Sequence, residues 1–223
     1  MDSLTPYKQI ALVVAAVAGG ISFATRRIHA DSWTMWLGLL VPYLLLGAWA
    51  FVRLRQGPSG LRLKPKSGDI TIGILVGMAT ALGGYLTLQW LAGAGTGREA
   101  WLYQVYAQVG PLQQTPMKVA ALVVLVALEE LVWRGYVQEL LLEKRGLRQA
   151  APLTALLYAI AHLPTLFTLS DPQAGLNPLL FLGALGGGLV WGFLTLALRR
   201  LLPAILAHVV FSYFLSAPLP QWL

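Results

Sequence analysis

The chain has 223 residues, of which 57% are hydrophobic and 11% charged, with a net charge of +7 and no cysteine. Soluble domains carry about 25% charged residues, so the composition argues against a water-soluble fold and for one helical membrane bundle. The absent cysteines exclude disulfides and thiolate chemistry. The positive charge is not read as nucleic-acid affinity, because the basic residues sit in short loops between apolar segments.

Seven apolar segments follow in order: 7–24, 33–52, 70–92, 117–140, 151–169, 178–198 and 201–215. Most reach the ~20 residues that cross a ~30 Å hydrocarbon core. The first is read as a span rather than a cleavable leader: Asp2, Ser3, Thr5 and Pro6 make a poor basic start, and the run ends at Arg26 and Arg27. Between the third and fourth segments, 93–116 is rich in Gly and Gln and carries Trp101, Tyr103 and Tyr106, which suit an interfacial anchor. The fifth segment is short and bends at Pro164; the seventh is also short. The sixth holds Gly183, Gly186, Gly187, Gly188 and Gly192, a density of small residues that lets helices approach closely. The expected fold is therefore all-α, a polytopic bundle of about seven spans, or eight with one further re-entrant crossing.

Loop charge sets the expected orientation. With a cytoplasmic N-terminus, Lys8, Arg53, Arg55, Arg62, Lys64, Lys66, Lys144, Arg145, Arg148, Arg199 and Arg200 face the cytoplasm. Only Arg26, Arg27, Arg98 and Lys118 face away. That asymmetry follows the positive-inside rule.

The chemistry concentrates in the fourth segment. Residues 119–128 are Val, Ala and Leu only, and Glu129 and Glu130 follow them in a chain with just 9 acidic residues. An ionisable group in hydrocarbon costs roughly 2.5–3.5 kcal/mol even on lenient scales, which makes such a group a functional candidate. Glu130 and Arg134 are four apart and can pair on one helix face, whereas Glu129 is rotated by about 100°. One acid would suffice to neutralise Arg134, so the second needs another reason. Of the three histidines, His29 lies in a polar loop beside Asp31 and is read as solvated, while His162 and His208 lie in apolar segments. At ~1.5 Å per residue, Glu129 and His162 sit roughly 15–20 Å from the cytoplasmic ends of their helices, and His208 about 10 Å from its own. One cytoplasm-facing cavity could hold all three. A carboxylate with two imidazoles suits activation of water and stabilisation of an oxyanion. It also suits a zinc site of Glu129, His162 and His208, although HExxH is absent.

Glu129-Glu130-Leu131-Val132-Trp133-Arg134-Gly135 resembles the EExxxR signature of the CPBP family, the CAAX proteases and bacteriocin-processing (Abi) enzymes. Tyr158-Ala159-Ile160-Ala161-His162 resembles its FxxxH motif, with Tyr158 for Phe. The stretch from Gly188 through Trp191 to Phe193, followed by the run from Leu202 to His208, is similar to its third region, which ends in HxxxN. Ser212 stands where that Asn is expected. The resemblance covers about 117–212 and implies a division into 1–116, three spans and an extracytoplasmic loop, and 117–223, a catalytic core. It implies an intramembrane endopeptidase in which Glu129 activates water, His162 assists, and His208 donates to the oxyanion. Glu130, Arg134, Tyr158 and Ser212 are supports in that scheme. The expected substrate is a membrane-associated protein or peptide: a prenylated CAAX end, a leader or a C-terminal sorting tail. The lipid bilayer is the other partner, and no nucleic acid is expected. No cofactor is expected, with zinc as the alternative. The compact loops point to a bacterial inner membrane. Two rivals stay open: a non-catalytic scaffold or immunity protein, favoured by Ser212, and a proton-relaying transporter.

Overall fold

The computed structural model describes residues 5–56 and 65–216. Arg62 and Lys64, two of the expected cytoplasmic charges, lie outside the described residues. Among the described residues the fold is helical: α1 Pro6–Ala24, α2 Trp33–Gln56, α3 Asp69–Ala92, α4 Glu99–Val109, α5 Pro116–Glu130, a π-helical segment Leu131–Val137, α6 Gln138–Arg145, α7 Leu147–Ala161, α8 Pro164–Thr168, α9 Leu179–Leu198 and α10 Leu202–Leu215. Each of the seven apolar segments became helix. Five stretches are long and apolar enough to cross a membrane: Pro6–Ala24, Trp33–Arg55, Asp69–Ala92, Leu147–Thr168 and Leu179–Leu198. The other two differ for physical reasons. α10 has only 14 residues, and the run from α5 to α6 is continuous but carries the charged site at its centre.

Proline and glycine set the breaks. Pro6, Pro116, Pro164 and Pro203 sit in first helical turns, where the missing amide hydrogen has no intrahelical partner to lose. Gly146, at φ 78°, makes the sharp turn from α6 into α7, a conformation that costs other residues a steric clash. α7 stops at Ala161 and the chain restarts at Pro164, so the expected bend in the fifth segment is a break.

The 93–116 region, expected to be an interfacial anchor, is structured. It folds into α4, whose Trp101 is buried with Ala92, Leu102 and Leu179 in a small satellite core; Tyr103 alone stays 70% exposed. Burial won because Asn177 pins the neighbouring loop: its side-chain amide donates to the Trp101 and Leu169 carbonyls. Asp31 pairs with Lys118, while the His29 ring packs against Phe23 at 4.5 Å and is half-buried. Solvation of His29 is therefore only partial.

Two close approaches position the functional helices. α3 leaves most of its surface facing outward and meets α10 through glycines. A Cβ on Gly77 would lie 2.9 Å from the Cα of Ala207, and one on Gly73 would lie 2.9 Å from the Pro203 carbonyl. α9 meets α7 in the same way, since a Cβ on Gly188 would lie 3.2 Å from that of Ala155. At the end of this contact Asp69, fully buried, accepts from Arg200 at 2.8 Å and from the Lys66 amide at 2.9 Å, tying α3 to the α9–α10 turn.

Gly77→Val should force α10 away from α3 beside His208. The expected loss is about 1–3 kcal/mol of stability, read as a lowered thermal midpoint in detergent; Gly83→Ala, whose Cβ would meet nothing within 4 Å, should be neutral.

Candidate active site

Glu129 and Glu130 end α5, and the backbone then widens into the π-helical turn that carries Arg134. Such insertions are rare and cluster at functional sites. Glu130 and Arg134 are both 0% exposed, with Glu130 Oε1 3.1 Å from Arg134 Nη1. Arg134 Nη2 also donates to the Gly188 carbonyl at 3.2 Å. Its guanidinium lies over two aromatic rings, 4.9 Å from the centre of Tyr158 and 5.3 Å from that of Trp191. Gly188 is required here, because a Cβ would stand 3.3 Å from Nη2.

α10 brings His208 to the same carboxylate. His208 Nδ1 is 2.9 Å from Glu130 Oε1. Glu130 is paired with Arg134 and accepts, so Nδ1 carries the hydrogen. The opposite ring nitrogen, Nε2, faces Glu129 Oε2 at 3.6 Å. The imidazole is stacked on Trp191 with centroids 3.7 Å apart and planes 17° from parallel.

Glu129 has lighter obligations. Its Oε2 accepts from the Tyr158 hydroxyl at 3.2 Å, and it keeps 8% of its surface exposed. Tyr43 faces it from α2, with the Tyr43 oxygen accepting from Trp133 Nε1 at 3.0 Å. His162 approaches through Tyr158: its ring meets the Tyr158 ring edge-on at 4.6 Å. His162 Nδ1 is 2.8 Å from the Tyr158 carbonyl, an obligate acceptor, so Nδ1 is the donor and Nε2 is left outward. Among the described residues no direct hydrogen bond joins His162 to either glutamate.

Ser212 lies one turn beyond His208 and is half-buried; its carbonyl accepts from Ser216 Oγ at 2.6 Å. The structure thus gathers Glu129, Glu130, Arg134, Tyr158 and His208 into one hydrogen-bonded and stacked cluster, with His162 edge-on to Tyr158, while Ser212 lies one turn further along α10. Tyr43, beside Glu129, and Gln138, whose amide donates to the Gly192 carbonyl at 3.1 Å, escaped the sequence reading, and Trp191 stood in the third motif stretch without a role. Their signal was weak, since a tryptophan or tyrosine in an apolar helix reads as packing.

Among the described residues no group of three His, Asp or Glu is disposed to hold a metal. The side chains present two carboxylates with different surroundings, an imidazole between them, and a second imidazole edge-on to Tyr158.

Residues 111–214 match the family model described as type II CAAX prenyl endopeptidase Rce1-like. Over this segment, a little under half of the chain, the protein is similar to the CPBP family. No curated protein and no solved structure matches it. At family level the match supports a CAAX-type intramembrane protease, a hydrolase, and five helices long and apolar enough to cross a membrane fit a multi-pass membrane protein. Every member of the cluster except Tyr43 falls inside the matched residues.

Removing one partner of a buried ion pair strands the other charge and costs about 3–5 kcal/mol. Glu130→Ala should therefore lower the thermal midpoint sharply in detergent, and adding Arg134→Met in the same chain should recover part of the loss.

Proposed function

We propose that the CPBP segment cleaves a peptide bond of a membrane-associated protein by water that Glu129 activates. One observation carries the reading: the adjacent acids have unequal duties. Glu130 is consumed by Arg134 and His208, whereas Glu129 holds only hydroxyl and imidazole neighbours and keeps a slightly exposed edge. A purely structural pair would have no reason to leave one carboxylate so lightly held.

The sequence of events follows from the donors. Glu129 takes a proton from water as its oxygen attacks the peptide carbonyl, and His162, whose Nε2 is free to accept, orients that water. The carbonyl oxygen becomes an oxyanion. His208 donates to it through Nε2–H, which the ring carries when protonated, with Glu130 as counter-ion. The C–N bond then breaks, and Glu129 returns its proton to the leaving amine. Tyr158 holds the Glu129 carboxylate in place, and Ser212 supplies a second, shorter donor than the usual Asn.

The substrate class proposed is a short membrane-embedded end: a prenylated CAAX peptide, a leader or a C-terminal sorting tail. The N-terminus is placed on the cytoplasmic side by loop charge, and the host membrane is proposed to be a bacterial inner membrane. A second reading, a non-catalytic scaffold or immunity protein, draws on Ser212 alone.

The test co-expresses wild type or Glu129→Gln in membranes with tagged single-span proteins bearing such ends, and reads a size shift. Loss of a general base typically costs 10²–10⁴-fold, so the shift should vanish in Glu129→Gln; equal cleavage by both chains would sink the proposal. Ser212→Asn should raise turnover, and a wild type that cleaves nothing, alongside an active Ser212→Asn chain, would favour the scaffold. Metal-free chemistry predicts that cleavage by purified enzyme survives prolonged chelation, whereas loss restored by zinc would argue for a metal.

A further inference from the structure

His208 has one hydrogen bond, from Nδ1 to Glu130, while Nε2 stands 3.6 Å from Glu129, beyond hydrogen-bond reach. One bond at one edge does not fix the ring plane, which can still turn about the Cβ–Cγ bond. What stops it is Trp191. The indole is 1% exposed and stacks on the imidazole at 3.7 Å with planes 17° apart. The indole is itself pinned. Phe211, one turn of α10 from His208, meets its edge at 5.4 Å. On its own helix the indole lies back over Gly187, where a Cβ would come within 2.5 Å of the Trp191 ring. Only a residue without a side chain at 187 lets the indole adopt this pose. The Arg134 guanidinium, 5.3 Å from the indole centre, adds a further contact to the same ring.

We propose that Trp191, seated on Gly187, is a positioning residue for His208. It fixes the imidazole plane so that Nδ1 meets Glu130 while Nε2 is presented to Glu129 and the reacting carbonyl. Its kinetic consequence rests on the protease reading above; its structural consequence does not. A ring that turns about its Cβ–Cγ bond carries Nε2 away from the oxyanion while leaving substrate binding alone. Misplacement of about 1 Å can cost ~10²-fold in rate, and a group used only in the transition state changes kcat rather than KM. Gly187 then matters through the indole, at a distance from any reacting atom.

The experiment uses the full chain in detergent micelles with isotope-labelled histidine. The protein has three histidines, so the ring signals can be assigned with His29→Gln and His162→Asn chains. Stacking on the indole face should move the His208 ring protons upfield in the wild type. Trp191→Leu and Gly187→Ala should each return them toward ordinary positions. His29, packed on Phe23 far from the site, should stay unmoved and so report an intact fold. Trp191→Phe, which keeps a flat ring, should retain much of the upfield shift. In cleavage assays kcat should fall about 10²-fold in Trp191→Leu with KM unchanged, and Trp191→Phe should restore most of it. An unshifted His208 in the wild type overturns the proposal. So does a Trp191→Leu chain that loses the shift yet keeps its kcat. A wild type that cleaves no substrate defeats the protease reading instead, and the spectra then decide the placement of His208 on their own.

Discussion

Glu130, Arg134 and His208 are buried together, and that burial governs the rest of the bundle. Taking a carboxylate and a guanidinium out of water costs several kcal/mol each, repaid only when the geometry is good and the remaining donors find partners. Here the demand is met from three directions. Arg134 spends one nitrogen on Glu130 and another on the Gly188 carbonyl, and lays its flat face against Tyr158 and Trp191. α9 must therefore run close enough to offer a backbone oxygen, which is why a glycine stands at 188. α10 must bring His208 to the far side of Glu130, and the α3 glycines allow it to lie there. The ion pair is weak support for stability in itself; its force lies in the geometry it imposes.

The same network creates the asymmetry on which the proposed chemistry rests. Adjacent residues on a helix point about 100° apart, so Arg134 pairs with Glu130, while Glu129 meets Tyr158 and the far edge of His208. The π-helical turn after the pair shifts the register just where the helix must supply Arg134 inward. Some buried polar atoms stay without a protein partner, among them Glu130 Oε2 and Arg134 Nε. Such atoms occur away from the cluster as well, at Trp36 and Trp101, so the character of the cluster rests on its geometry and not on them.

Much of this was legible along the chain because hydrophobicity and helical spacing are local properties. Seven apolar runs became helices, and Glu130 and Arg134, four apart, pair as helix geometry demands. Glu129, Glu130, Tyr158 and His208 announced themselves as polar groups in apolar runs or within motifs. Tyr43 did not, and Trp191 appeared in the third motif stretch without its role, since an aromatic residue in a membrane helix has the same appearance whether it faces lipid, packs in a core or supports a histidine. Trp101 misled in the reverse sense: its place in a loop suggested the interface, but the partners that bury it, Ala92 and Leu179, are distant in sequence.

Local chemistry thus determined the helices, their breaks at Pro164 and Gly146, and the residue types able to activate water. Tertiary structure alone decided which partner each of those groups received. Both nitrogens of His208 could serve either glutamate until α9 and α10 packed; the indole beneath the ring and the carboxylates at its edges then selected one orientation. The reason is physical: hydrogen-bond direction and ring stacking act over 3–4 Å between residues separated by tens of positions, as with Glu130 and His208. A linear chain carries the capacity for such contacts, and only close-packed helices choose among them.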